Sequence, residues 1–475
     1  MDPIHEERSG RDRSGPTHTV AAALIEQALA RHADDFDDAV IRRAQMCLLD
    51  YLSCAFEARD LAWSTQAAAL ALPQADTGAH MVGRAGRHAP ADAAFANAVA
   101  GHGLVREDMH AGSVAHLGVV VWPAVLALAE QHRVTGRALL AAAIVGYETG
   151  AVLGRAVMNE SLGRLFRPTG LVGPFAAAAA GARVAGLDTA QALNAFALAG
   201  NCCAGLNEWP HTGGSEMYFH PGFAVRNALT CVALARQGAT GSTSILEGEA
   251  GFFAAYARAP LAVDLTLFAR EQPEIMSVFN KAVPACNFAQ SPCQAALAIA
   301  PRLGGRAITE VRIETTRTAL AYPGCDAVGP FERALQAKMS IPFGVAATLA
   351  HGGIEESNYA RLDDPAIERL LAVTRLVADP VYTAAFPARQ GARVTVRLAD
   401  GEELSEALDD VRAADDDLIR RRFLAAATRV MGEASAQRIA TFVDTLQDMP
   451  DAGELASLYA LPGPPGDSSW GRKPS

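Results

Sequence analysis

Lysine is nearly absent from this chain. Of its 41 basic residues only three are lysine, Lys281, Lys338 and Lys473, so arginine serves wherever a surface cation is wanted. A lysine inside an ordered segment is then an unusual choice, and unlike arginine its pKa can fall far enough to exchange protons. Long basic runs are also absent and the net charge is −11, which excludes nucleic acid and anionic membrane as expected partners. No CxxC pair or compact metal spacing occurs among the eight cysteines. The thiols therefore read as reduced packing residues and the compartment as cytoplasmic. The first 18 residues are charged and lack the apolar core of a secretory signal. Apolar stretches are interrupted by charge or proline, so no membrane span is predicted. There is no G-x-G-x-x-G opening a strand–helix unit, no P-loop and no G-x-S-x-G, which disfavours nucleotide cofactors and serine hydrolysis.

What is present suffices for a large core. Half of the 475 residues are apolar and a fifth are charged, a balance that argues for two or three packed domains rather than disorder. Helical periodicity dominates up to about residue 265: 20–30, 37–58, 89–104, 123–131, 136–157, two helices within 172–200, then 222–237 and 249–258. Residues 308–316 and 391–399 alternate and are rich in β-branched residues, and Asp400–Gly401 followed by 402–405 predicts a hairpin. Helices are expected at 331–352, 364–377 and 415–447. The fold class is thus mainly α, with a large helical domain and a smaller α/β domain inserted before C-terminal helices. The expected boundaries are a disordered arm at 1–18, a helical domain at 19–268, an α/β domain at 269–408, C-terminal helices packing back at 409–461, and a disordered tail at 462–475.

Three segments carry candidate chemistry. Residues 101–118 bring His102, Arg106, Glu107, Asp108, His110, Ser113 and His116 into a glycine-containing loop between two apolar helices. Three of the chain's twelve histidines fall there. A histidine exchanges protons near neutral pH, and a carboxylate beside it fixes its tautomer. Three readings stay open: acid–base catalysis, a metal site of His102, Asp108, His110 and His116, and a structural loop. The second segment, 207–222, adds His211 and His220 ahead of Arg226. The third, 280–293, holds Lys281, Cys286, Gln290 and Cys293, with Lys281 a candidate carboxylate clamp or proton shuttle.

These segments, in their order and spacing, resemble the MmgE/PrpD family. The likeness spans roughly residues 20–450 and runs through His116-Leu-Gly-Val-Val-Val-Trp-Pro-Ala, Gly146-Tyr-Glu, Arg167-Pro-Thr-Gly, His220-Pro-Gly, Lys281-Ala-Val-Pro-Ala-Cys and Ala337-Lys-Met-Ser. The family includes 2-methylcitrate dehydratase, cis-aconitate decarboxylase and iminodisuccinate epimerase. The resemblance implies a cofactor-free homodimer that binds a small di- or tricarboxylate between its domains and moves a proton next to a carboxylate; no metal is expected from the residue spacing. It implies His110 or His116 as the base, Asp108 to orient it, and Lys281 as a catalytic cation. From the residues themselves, Arg106, Glu107, Arg167, His211, His220, Arg226 and Gln290 are the expected substrate-binding set. The chain departs from the family pattern at Val105, where an acid falls, at Arg106 for an aromatic, at Met217 for a lysine, and at Arg167 and Gln290 for histidines. A dehydratase-like lyase is the leading expectation. Its alternatives are an epimerase, isomerase or decarboxylase of a polycarboxylate, and an inactive member that only binds a carboxylate.

Overall fold

The computed structural model describes residues 19–74 and 77–462. The expected arm at 1–18 and the tail from 463 lie outside the described residues. The molecule is mainly α, with a small α/β portion.

Sequence signals start and stop the helices much as expected. Asp37 accepts from Val40 N–H to cap Asp38–Ala58, and Thr135 accepts from Ala138 N–H to cap Gly136–Val157. Pro90 occupies the first turn of Pro90–His102. Three helices begin four to six residues before the predicted points: Gly118–Ala129, Pro168–Val184 and Glu216–Arg236. Each carries an internal proline, Pro123, Pro174 or Pro221, that reads from sequence as a start signal. Proline removes a single helical hydrogen bond, and burial of the preceding turn outweighs that loss.

Among the described residues two large hydrophobic cores result, with a small third cluster of Cys54, Ala58 and Leu104. The larger unites the N-terminal helices with the C-terminal pair Asp416–Met431 and Glu433–Asp444, which are separated at Gly432. Phe423 of that pair packs edge-on against Phe56. The smaller core is built on a four-stranded sheet in the order 374–378, 308–315, 392–398, 403–408. Its first pair is parallel and the other two are antiparallel. Val311, Ile313, Val394 and Val396 turn to the helices Gln290–Ile299 and Ile341–His351. The edge strand Thr374–Ala378 corrects the expected helix at 364–377, which ends at Ala372. Residues 331–352 form two helices broken at Ser340, and 249–258 contains only a short π-helical turn, Phe253–Ala257. Val105, Trp209, Met217 and Tyr218 from the helical part also belong to the smaller core, so the two cores meet at the candidate loop.

One helix has the length and composition of a membrane span without overturning the expectation that no segment is one. Gly136–Val157 is long and apolar enough to cross a membrane, but 89% of its most apolar window is buried inside the fold, as befits a central core helix.

Candidate active site

The loop after Pro90–His102 is fixed from the other part of the chain. Met109 and His110 pair antiparallel with Val278 and Phe279, which delivers Asn280 and Lys281 to the loop's inner side. Asn280 donates to Asp50 at 2.7 Å, and the Arg422 guanidinium donates to the carbonyls of Lys281 and Ala282. Lys281 is wholly buried, with Nζ donating to the Val105 carbonyl at 2.5 Å and to that of Ala285 at 3.3 Å. Lys338, equally buried, donates to the carbonyls of Gly103 and Leu104 and to Glu356. The two lysines among the described residues thus hold three consecutive carbonyls at the negative pole of one helix. Val105 itself sits at φ 57°, a conformation that costs a β-branched residue about 1–3 kcal/mol.

Glu107 is the hub. Its Oε1 lies 2.6 Å from His102 Nδ1 and 2.9 Å from His116 Nδ1, while its buried Oε2 has no hydrogen-bond partner among the described residues. Acceptor chemistry fixes both tautomers. His116 Nδ1 also faces the Asp108 carbonyl at 3.0 Å, and a carbonyl only accepts, so Nδ1 carries the hydrogen. His102 donates from Nδ1 to Glu107, and its Nε2 accepts from Arg167 at 3.3 Å. Among the described residues no hydrogen bond engages His116 Nε2, which is left with a free lone pair. Burial pushes the His116 pKa down to about 3, with Lys281 adding to the fall, so the ring is neutral. Burial also lowers His102 and Lys281. His102, His116 and Lys281 together hold the Glu107 carboxyl well below its usual range against the opposing effect of burial.

His110 is differently occupied. Its Nδ1 accepts from Ser113 N–H at 3.1 Å, so its Nε2 donates to Glu274 at 3.0 Å. Both ring nitrogens are spent, which separates it from His116 as a base. Asp108 orients His116 through its backbone carbonyl. Its carboxylate instead accepts from Gly118 N–H at 3.0 Å and from the Tyr147 hydroxyl. Burial raises that carboxyl to about 7. A Cβ at Gly118 would lie 2.5 Å from the Tyr147 oxygen, so only glycine fits there.

Arg167 joins the cluster beside His102, with its guanidinium over the Trp209 ring and Tyr322 in hydrogen-bond reach. His220 lies near both, its Nδ1 buried and unpartnered and its pKa pushed down to about 3 by burial. The remaining predicted residues are placed elsewhere. The Arg106 guanidinium points away, to Glu57 at 2.7 Å and Ser53 at 2.9 Å. Gln290 spends its amide on the backbone of 282–286, shaping the Lys281 loop rather than facing a ligand. His211 is exposed on the short helix Trp209–Thr212. Arg226 is half exposed and pairs with Asp92, at the opposite end of Pro90–His102 from the cluster.

The groups able to hold a metal are His102, Glu107 and His116, whose ligand atoms lie within 4.8 Å of one another. Of the metal set left open in the sequence, the Asp108 carboxylate and His110 are engaged elsewhere. Because both Nδ1 atoms carry hydrogens turned toward oxygen, the trio reads as a hydrogen-bonded relay. Sequence reasoning underrated His102 and missed Glu274 and Tyr322. The last two come from more than 150 residues away and carry no local signal.

The description "MmgE/PrpD N-terminal domain" matches residues 23–262, and "MmgE/PrpD C-terminal domain" matches residues 283–448. Among relatives, the cis-aconitate decarboxylase-like protein oryM of Aspergillus oryzae is 27% identical, over 94% of this chain and 98% of its own. A cis-aconitate decarboxylase of Aspergillus terreus is 30% identical over 49% of each chain. Human cis-aconitate decarboxylase is 25% identical over 79% of this chain and 80% of its own.

Proposed function

Because the chain belongs to the MmgE/PrpD family of lyase-type enzymes, we propose that it breaks a bond next to a carboxylate of a small polycarboxylate, with loss of CO₂ from a cis-aconitate-like acid as the first choice. The observation that carries this reading is His116, a neutral imidazole with Nδ1–H tied down and Nε2 free, set beside the buried cations Lys281 and Arg167. Arginine grips one carboxylate with two prongs and lysine meets another as a point charge. The bound negative charge raises the His116 pKa, so Nε2 takes up a proton. In decarboxylation the C–C bond to the leaving carboxylate breaks, its electron pair moves into the neighbouring alkene, and CO₂ departs. The alkene's far carbon then takes the proton from His116 Nε2. Cations already in place stabilise the negative charge that develops. Water elimination, the leading expectation from sequence, uses the same Nε2 as a base and stands second. We take the reaction to need no cofactor and the enzyme to act as a homodimer.

Proton NMR of cis-aconitate with the enzyme in D₂O tests the reading. Release of CO₂ with one deuterium in the unsaturated product is expected. Deuterium exchange next to a carboxylate of cis-aconitate with no CO₂ released would assign an isomerase-type proton transfer instead, and inversion of a chiral hydroxy- or amino-dicarboxylate without an alkene product would assign an epimerase. Tight binding without turnover of any polycarboxylate would assign an inactive carboxylate-binding member.

A further inference from the structure

A cleft of about 190 Å³ lies between the two parts of the chain where Pro168, next to Arg167, meets Tyr322. Its inner wall is apolar: Val114, Met158, Phe288, Ala321, Tyr322 and Phe386. The Phe288 ring lies 5.5 Å from Tyr322 and 5.9 Å from Phe386. The polar side chains Asn159, Glu160 and Arg164 are exposed and stand at its rim. Among the described residues Arg164, exposed at the rim, is the one basic residue that lines the cleft, and none lines its inner wall. A compact polycarboxylate held by Arg167 and Lys281 would leave this wall bare to water.

We propose that the cleft receives an apolar chain on the substrate, so that the preferred substrate is a polycarboxylate bearing an unbranched alkyl group. This rests on the carboxylate-binding reading of Arg167 and Lys281 given above. The cleft is many times larger than the roughly 10–15 Å³ that a single water needs, room enough for a short alkyl chain. Each methylene taken from water into an apolar wall tightens binding about fourfold. Val105 and Met217, apolar where the family pattern has charge, extend the same bias to the cluster's own surroundings.

Isothermal titration of the full-length protein with succinate, propylsuccinate and hexylsuccinate tests the proposal without relying on turnover. Affinity is expected to rise at least tenfold from succinate to propylsuccinate and to rise again, less steeply, to hexylsuccinate. Filling the cleft with Ala321→Phe, or separately with Thr318→Phe, is expected to remove that rise. Equal affinity across the series in the wild-type protein overturns the proposal, whatever the enzyme turns over. A rise that both variants leave intact overturns it too. A rise lost in either variant supports the chain-binding cleft even if no carboxylate is turned over, a result that would instead sink the lyase reading.

Discussion

The two histidines that sequence leaves as equal candidates differ by their partners. His110 accepts from Ser113 and donates to Glu274, whereas His116 keeps a free Nε2. His116→Gln is expected to lower kcat by about 10²–10⁴-fold, the usual worth of acid–base help, with the melting temperature little changed. His110→Gln is expected to keep kcat within about tenfold and to lower the melting temperature, because Glu274 loses a buried donor worth about 1–3 kcal/mol. Saturation kinetics and thermal melts on both variants check this, and the reverse ranking would return the base to His110. Lys281→Met is expected to raise KM and to cost about 1–3 kcal/mol from the bared Val105 carbonyl, read by kinetics alongside urea unfolding. Lys281 was legible in the sequence because lysine is so rare there. The choice between the histidines was not, since Glu274 sits 164 residues beyond His110. Arg106 misled for a related reason: its partners Glu57 and Ser53 lie on an earlier helix that draws it away from the loop.

Helix existence was readable from apolar periodicity, and so were the starts set by Asp37, Pro90 and Thr135, but three starts were not. Pro123, Pro174 and Pro221 look like first-turn residues, yet each lies in the second turn of a helix whose opening residues are buried against the site. The strand at 374–378 was hidden because only its parallel pairing with 308–315 makes it one. Pro174 has a visible effect. It frees the Gly170 carbonyl, which accepts instead from Ala204 N–H at 3.1 Å, while Gly205 accepts from Arg167 N–H at 2.8 Å. A Cβ at Gly170 would lie 2.2 Å from the Ala204 oxygen. Gly170→Ala is therefore expected to cost about 1–3 kcal/mol and to weaken substrate binding by shifting Arg167. Urea unfolding with KM measurement checks it, and a variant unchanged in both would show that the 204–205 segment moves aside freely.

For the whole molecule, buried titratable groups set the response to acid. His116 and His220 are held near pKa 3, against about 6.5 unfolded, so between those values the unfolded chain takes up two protons that the folded chain refuses. Asp108 acts oppositely. Raised to about 7, it keeps a proton that the unfolded chain releases near 3.8, so its contribution is present at low pH and lost as pH rises through 7. Counting these three groups alone, the net difference near pH 5 is about one proton, a contribution that falls by about 1.4 kcal/mol per unit on acidification from about pH 6 to 4.5; His102, lowered, adds to it, and Asp50 and Glu148, raised, oppose it. Below that, Glu274, lowered to about 2, and Glu107 add to the loss as they protonate. Urea midpoints across this range check the slope, which His116→Gln is expected to flatten.

The carbonyls of Gly103, Leu104 and Val105 find their donors in Lys338 and Lys281, so the end of one helix is completed by residues made more than 170 positions later. During synthesis the N-terminal helices leave the ribosome first, at about 5–20 residues per second. Until the second segment follows, that turn has only water for company. A fragment ending before residue 281 can form its helices and still lack a working loop. The loop's geometry is thus completed from the second half of the chain, and the turn at residues 103–105 gains its side-chain donors only once Lys281 and Lys338 have been made.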